Sequence, residues 1–184
     1  MSGWVFESER LRYRCLTPDD AETLRAACDD PIASRMMITI PHPYTLDLAR
    51  EFLESPAASG DAGRLFVGAF EGDALVGTAA LFGVGEPEGG LGELGFMVTP
   101  EHRGKGYGVE IAAAASAHAL SPSGMGWRKL IAECIGANAA SARALLAAGF
   151  AQEGVRREYE LNNGVIEDVL FFGMFREDAR PEVQ

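Results

Sequence analysis

Leu91-Gly-Glu-Leu-Gly-Phe-Met-Val98 passes through Thr99-Pro100-Glu-His102 into Arg103-Gly-Lys-Gly-Tyr-Gly108, and an alanine-rich segment follows at once. The first part reads as a short apolar strand, Leu94 to Val98, that ends at a turn on Pro100. The second part places glycine at every second position, 104, 106 and 108. Without a Cβ, such a backbone can approach a ligand closely. The helix that follows offers free N–H groups and a partial positive charge at its first turn. Strand, glycine loop and helix start together form a cradle for a phosphate or diphosphate. Arg103 and Lys105 add two cations at its rim.

Two common phosphate motifs do not fit this loop. A Walker loop needs Ser or Thr after its lysine, and Lys105 is followed by Gly106. The dinucleotide fingerprint needs Gly-x-Gly-x-x-Gly on a first strand–helix turn. Here the third glycine comes one residue early, and the motif lies past the middle of the chain.

Arg103, Gly106 and Gly108 do match, in register, the Gln/Arg-x-x-Gly-x-Gly/Ala loop that binds acyl-coenzyme A in the GCN5-related N-acetyltransferases. The resemblance continues through Ile131-Ala-Glu-Cys134, Asn138-Ala-Ala-Ser141, Leu145-Leu-Ala-Ala-Gly-Phe150 and Glu153-Gly154. Upstream, Glu9-Arg-Leu-Arg12, Thr17-Pro-Asp-Asp20 and Pro41-His-Pro-Tyr-Thr45 agree with it. The whole resembles the branch of that family that acetylates protein N-termini, ribosomal proteins among them, and some small amines. It spans residues 8–175, with a charged tail at 176–184. It implies a single-domain acyltransferase fold: a mixed, mostly antiparallel sheet with two splayed central strands, flanked by helices. It also implies acetyl-coenzyme A as cosubstrate. Many relatives are homodimers, and the sequence leaves that state open.

The bulk properties are compatible. At 184 residues the chain suits one domain, and 47% hydrophobic residues suffice for a core. No apolar run reaches membrane-spanning length, and the first residues lack the pattern of a signal peptide. Cysteines 15, 28 and 134 are few, odd in number and scattered, which points to a reducing cytoplasm. Histidines 42, 102 and 118 lack paired metal spacing, so no metal site is expected. The net charge of −11 disfavours nucleic acid as a partner and favours cationic acceptors, although it equally serves solubility.

The expected order of elements is β-α-α-β-β-β-α-β-α-β-β. A strand at 9–16 precedes a helix capped by Thr17 and Asp20, which ends at Asp29-Asp30-Pro31. A short helix follows within 32–40, and Thr45 caps another to about Leu53. Strands 64–70 and 74–81 form a hairpin on Gly72-Asp73, and Leu91 to Val98 is the central strand. A helix over 105–119, a strand over 129–134, a helix over 138–148 and a hairpin on Asn162-Asn-Gly164 complete the chain.

Acetyl transfer to an amine needs a bound thioester, a polarised carbonyl, a neutral amine and a proton for the leaving thiolate. The loop residues Arg103, Gly104, Lys105, Gly106, Tyr107 and Gly108 are the expected diphosphate cradle. Amides near Met97 and Val98 are the expected partners of the carbonyl; the resemblance implies a bulge there that aims an N–H at it. Glu93 is the candidate base, its pKa raised by burial, with Glu153, Glu158, His42 and His118 as weaker rivals. Ser141 is the candidate acid and a cofactor contact. Asn138 caps its helix, and the resemblance gives it a pantetheine contact as well. Tyr107 and Tyr159 are alternative donors. Nothing beside Cys134 activates it, so direct transfer is expected. Residues 30–45, 83–90 and 155–165 are the expected acceptor pocket, with Met36, Met37, Tyr44 and Phe82 as walls or core. A non-catalytic acyl-coenzyme A sensor, and an antibiotic or polyamine acetyltransferase, are the competing readings.

Overall fold

The computed structural model describes residues 3–37, 40–58, 63–85, 90–162 and 164–177; side chains of 160–162 are left aside. Among the described residues the strands are β1 (Phe6–Glu7), β2 (Arg12–Cys15), β3 (Arg64–Glu71), β4 (Ala74–Gly83), β5 (Leu91–Val98), β6 (Lys129–Ile135), β7 (Ala151–Asn162) and β8 (Val165–Phe175). The helices are α1 (Ala21–Cys28), α2 (Pro31–Met36), α3 (Leu46–Glu54), α4 (Tyr107–Leu120) and α5 (Ala139–Ala147). The strands form one eight-stranded sheet in the order β1-β2-β3-β4-β5-β6-β8-β7.

Every neighbouring pair is antiparallel except β5 and β6. That parallel pair needs a crossover, and α4 supplies it. The ladder between β5 and β6 is short: Leu91↔Lys129, Gly92↔Leu130 and Glu93↔Ile131. Beyond Glu93 the two strands part, while β5 stays paired with β4 up to Val98 and β6 stays paired with β8 up to Ile135. The sheet therefore opens as a fork in its centre.

Side-chain alternation divides the strands between two cores. On one face Val67, Val76, Leu94, Leu130 and Phe172 pack with Ile111, Ala112, Ala115 and Ala119 of α4. Those four helical residues, with Ser116 and Leu120, recur at i, i+1, i+4, i+5, i+8 and i+9, the stripe of a buried helix face. On the other face Leu16, Phe70, Leu75 and Met97 pack with Leu24, Cys28, Ala49 and Leu53 of α1 and α3. A register shift opposite Ala69 and Phe70 leaves Val76 of β4 as the extra residue, so Val76 stays in the first core while Leu75, paired with Phe70, joins the second.

The closed end of the fork depends on one glycine. A Cβ on Gly92 would lie 1.9–2.5 Å from three atoms of the Trp127 indole. Trp127 is buried, its main-chain N–H bonded to Ala119 O at the end of α4 (3.0 Å), so it ties the crossover to the paired part of β5.

The chain differs from the sequence-based expectation at a few boundaries. The first strand is shorter and is preceded by β1. The helix α4 starts at Tyr107, with Gly106 in the left-handed conformation as its N-cap. Asp20 does act as a capping acid: its carboxylate accepts from Thr17 N–H (2.7 Å) and takes a two-pronged ion pair from Arg14 (2.8 and 2.8 Å). The expected bulge in β5 is absent, since its register with β4 is continuous from Gly77↔Val98 to Gly83↔Gly92. Residues 38–39, 86–89 and 163, expected in the acceptor pocket, and 178–184 of the expected tail lie outside the described residues.

Gly92→Ala is expected to lower stability by about 1–3 kcal/mol, because a flat ring in a packed core has nowhere to move. Urea unfolding measures this, and the loss should exceed that of Gly3→Ala, where a Cβ meets nothing within 4 Å.

Candidate active site

The fork and the glycine loop open into one cleft of about 490 Å³. That size suits a cofactor or small-molecule site. Its walls are Phe96, Met97 and Val98 of β5, His102 to Val109 in part, Ala140, Ser141, Arg143, Ala144 and Ala147 with the cap Asn138, and Ile32, Ala33, Met36 and Met37 around α2.

Backbone parity decides which amides face it. Thr99 N–H bonds Val76 O (3.0 Å) and Val84 N–H bonds Leu91 O (2.9 Å). With the continuous register, odd-numbered residues of β5 therefore aim their main-chain groups at β4, and even-numbered residues aim away from it. The groups of Phe96 and Val98 thus point into the fork, past the last β6 pair at Glu93↔Ile131. Met97, expected to serve there with its amide, spends that group on β4. Its side chain is buried against α1, with Sδ 3.9 Å from Cys28 Sγ.

The loop shows why it is rich in glycine. Gly104 and Gly106 have φ of +76° and +83°, a region that costs other residues strain. Gly108 is different: a Cβ there would make ordinary contacts with Phe96, Val98 and Ala144 at 3.6–3.7 Å. The first N–H groups of α4 have no acceptor within the helix, and they open on the cleft beside Gly104, Gly106 and Gly108. This cradle fits an anionic diphosphate.

Arg103, expected as a cation at the rim, forms an ion pair with Asp30 at very short range. Asp30 is buried and also caps α2, accepting from Ile32 N–H (3.3 Å) and Ala33 N–H (2.9 Å). Burial pushes its pKa up, but the hydrogen bonds from Arg103 and the two amides outweigh that and hold it below the usual carboxylate range. Arg35 in turn pairs with Glu167 of β8 (2.9 Å). The helix α2 thus spans the fork, tied to the loop after β5 and to the strand beside β6.

Ser141 lines the cleft, and its N–H is capped by Asn138 Oδ1 (3.1 Å). Burial pushes the Cys134 thiol up to about 11, the nearby Ser141 side chain offsetting this only in part, so the thiol is protonated at neutral pH. Glu93 does not line the cleft. It stands at the apex of the fork, and alternation places it with Gly95 and Met97 on the α1 side. Burial raises its pKa, and Glu133, two residues along β6 from its partner Ile131, raises it further. Tyr107 is buried, and the neighbouring Glu71 carboxylate together with burial raises its pKa. Lys105 and Gly106 keep their expected place in the loop. Met36 and Met37 are cleft walls, whereas Tyr44 is core. His118 stacks on Phe6 at 4.7 Å.

Several lining residues escaped the sequence reading: Phe96, His102, Arg143 and the alanines of α5. The signal was present as spacing, since Ala140, Ala144 and Ala147 share one helix face. A second groove, lined by Gly136, Ala137, Val155, Ile166 and Leu170 among others, lies on the β7–β8 hairpin away from the glycine loop.

A forked sheet with main-chain amides aimed into its gap, joined to a glycine cradle at the start of the crossover helix, suits a ligand with an extended arm and an anionic diphosphate. The family model for the acetyltransferase (GNAT) domain matches residues 10–151. The chain belongs to this family of N-acetyltransferases, which use acetyl-coenzyme A. It is 27% identical over 176 residues to the uncharacterized N-acetyltransferase p20 of Bacillus licheniformis, covering 93% of this chain and 96% of that protein. Its fold is similar to RimL, a ribosomal L7/L12 alpha-N-protein acetyltransferase solved with coenzyme A (TM-score 0.84, 18% identity, 97% of this chain and 100% of that one). It is also similar to a spermidine N-acetyltransferase SpeG chimera from Vibrio cholerae and hSSAT (TM-score 0.78, 18% identity, 93% and 98%).

Asp30→Asn should cost about 1–3 kcal/mol of stability at neutral pH, the range for leaving a hydrogen-bonding group without its partner, since water reaches the part-exposed Arg103. Because the folded pKa of Asp30 is depressed, its contribution is complete above the unfolded value of about 4 and fades as pH falls through the folded value. Urea unfolding of both proteins at a series of pH values should show the difference closing only on the acidic side.

Proposed function

We propose that the chain moves an acetyl group from acetyl-coenzyme A directly to a primary amine, either a protein N-terminal α-amine or a small amine. The observation that carries this reading is the meeting of two sets of free amides, Phe96/Val98 and the 104–108 loop, in one cleft. The loop residues Gly104 to Gly108 would hold the diphosphate, with Lys105 at the rim. Phe96 and Val98 would hydrogen-bond the pantetheine arm and the carbonyl. The cosubstrate supplies an activated acyl carbon.

The protein's own groups manage the protons. An ammonium acceptor must lose one before its nitrogen can attack. Glu93 stands where the fork closes and is the proposed base, directly or through water. Ser141 is the proposed acid for the departing sulfur, and Asn138 fixes it at the start of α5. The buried thiol of Cys134 stays protonated, which supports one-step transfer without an acetylated cysteine. The acceptor classes follow from the net charge of −11, which favours cationic amines, and from the named activities of the structural neighbours.

A thiol-release assay tests the proposal with three acceptor panels: free-N-terminus peptides, polyamines and aminoglycosides. Amine-dependent release with a peptide or a polyamine is expected. Release that stays at the amine-free rate on every panel, while acetyl-coenzyme A binds, would leave a sensor domain instead.

The pH profile tests the base. Glu93 must be ionised to act, so kcat/KM should rise with pH through its raised pKa. Glu133→Gln removes the neighbouring charge and should move that limb to lower pH. Glu93→Gln should abolish the limb, at a cost of about 10²–10⁴ in rate.

A further inference from the structure

We propose that Arg10 is a positioning residue for the diphosphate loop, clasping it from the side opposite the cleft; this rests on the acetyl-coenzyme A reading above. Arg10 lies in the turn between β1 and β2, far from the loop in sequence. Its Nε donates to Glu110 Oε2 (2.7 Å), and its Nη1 donates to Lys105 O (3.1 Å). Its guanidinium lies 4.3 Å from the centre of the Tyr107 ring. One planar group thus holds three consecutive parts of the motif: the carbonyl of Lys105, the ring of Tyr107 and the first turn of α4.

Two consequences follow. A carbonyl pulled toward Arg10 turns its peptide unit, so the N–H of the same unit, that of Gly106, points the other way. This is the orientation an anion in the cleft requires. The second consequence is electrostatic. Glu110 sits in the first turn of α4, where a bound diphosphate would be repelled by it. Ser8 Oγ and Arg10 N–H also donate to Glu110 Oε1 (2.7 and 2.8 Å). Burial works to raise the Glu110 pKa, yet these bonds hold it low, so the carboxylate is charged and Arg10 is its counter-charge. Arg10 therefore both shapes the loop and neutralises the acid beneath it. Lysine carries the charge but lacks the planar fork that reaches Glu110 and Lys105 together.

Calorimetry with acetyl-coenzyme A on the full chain tests this, with NMR titration of S-acetylpantetheine, which has no diphosphate, as the second probe. Arg10→Ala should weaken acetyl-coenzyme A binding at least tenfold and leave S-acetylpantetheine affinity within twofold. Arg10→Lys should fall between, and adding Glu110→Gln to Arg10→Ala should recover part of the loss. Unchanged acetyl-coenzyme A affinity in Arg10→Ala would overturn the proposal. An equal loss for both probes would also overturn it, because a clasp on the loop cannot act on a ligand that never reaches it. Failure of the unsubstituted protein to bind acetyl-coenzyme A, with S-acetylpantetheine still bound, would overturn the cofactor reading itself and the clasp with it.

Discussion

Three residue pairs hold β5 to β6, and the site depends on the ladder stopping there. A parallel pair that continued to Val98 and Ile135 would use the amides of Phe96 and Val98 in the sheet. Because it ends at Glu93↔Ile131, those groups are left pointing into a gap. Unpaired main-chain groups in a protein interior are costly, so a gap of this kind persists only if water or a ligand satisfies them. The sheet stays intact around the gap because β4 and β8 hold the outer edges of both strands in long antiparallel ladders.

The helices then divide the work by face. The crossover α4 closes the narrow end through Trp127 on Gly92 and presents its N-terminus at the wide end. The helix α5 lines the second wall with small side chains and brings Ser141. On the opposite face α2 crosses the opening, tied by Asp30–Arg103 and Arg35–Glu167. The cation that begins the loop motif is therefore engaged with the cap of α2, and two arginines of this region, 10 and 103, are each balanced by a carboxylate.

The glycine loop and most of the elements were legible in the sequence because both are local, although β1 and a third helix before β3 are missing from the expected order. Alternate glycines before an alanine run specify a left-handed turn and a helix start, and Gly104 and Gly106 do have positive φ. Asn138 was legible as a cap for the same reason. What was not legible is long-range. Nothing near Arg103 indicates Asp30, 73 residues away, and nothing near Lys105 indicates Arg10. The end of the β5–β6 ladder is also a pairing property, so the expected bulge at Met97–Val98 gave way to amides at Phe96 and Val98 exposed by divergence alone. Glu93 read as a site residue from its strand, yet only the pairing shows that it marks the apex of the fork.

The most direct test is a crystal structure of the chain with acetyl-coenzyme A. The account predicts diphosphate oxygens on the amides of residues 104–108 and the thioester arm beside Phe96 and Val98, between β5 and β6. A cofactor bound on the β7–β8 hairpin, or a fork still empty at saturating ligand, would contradict it.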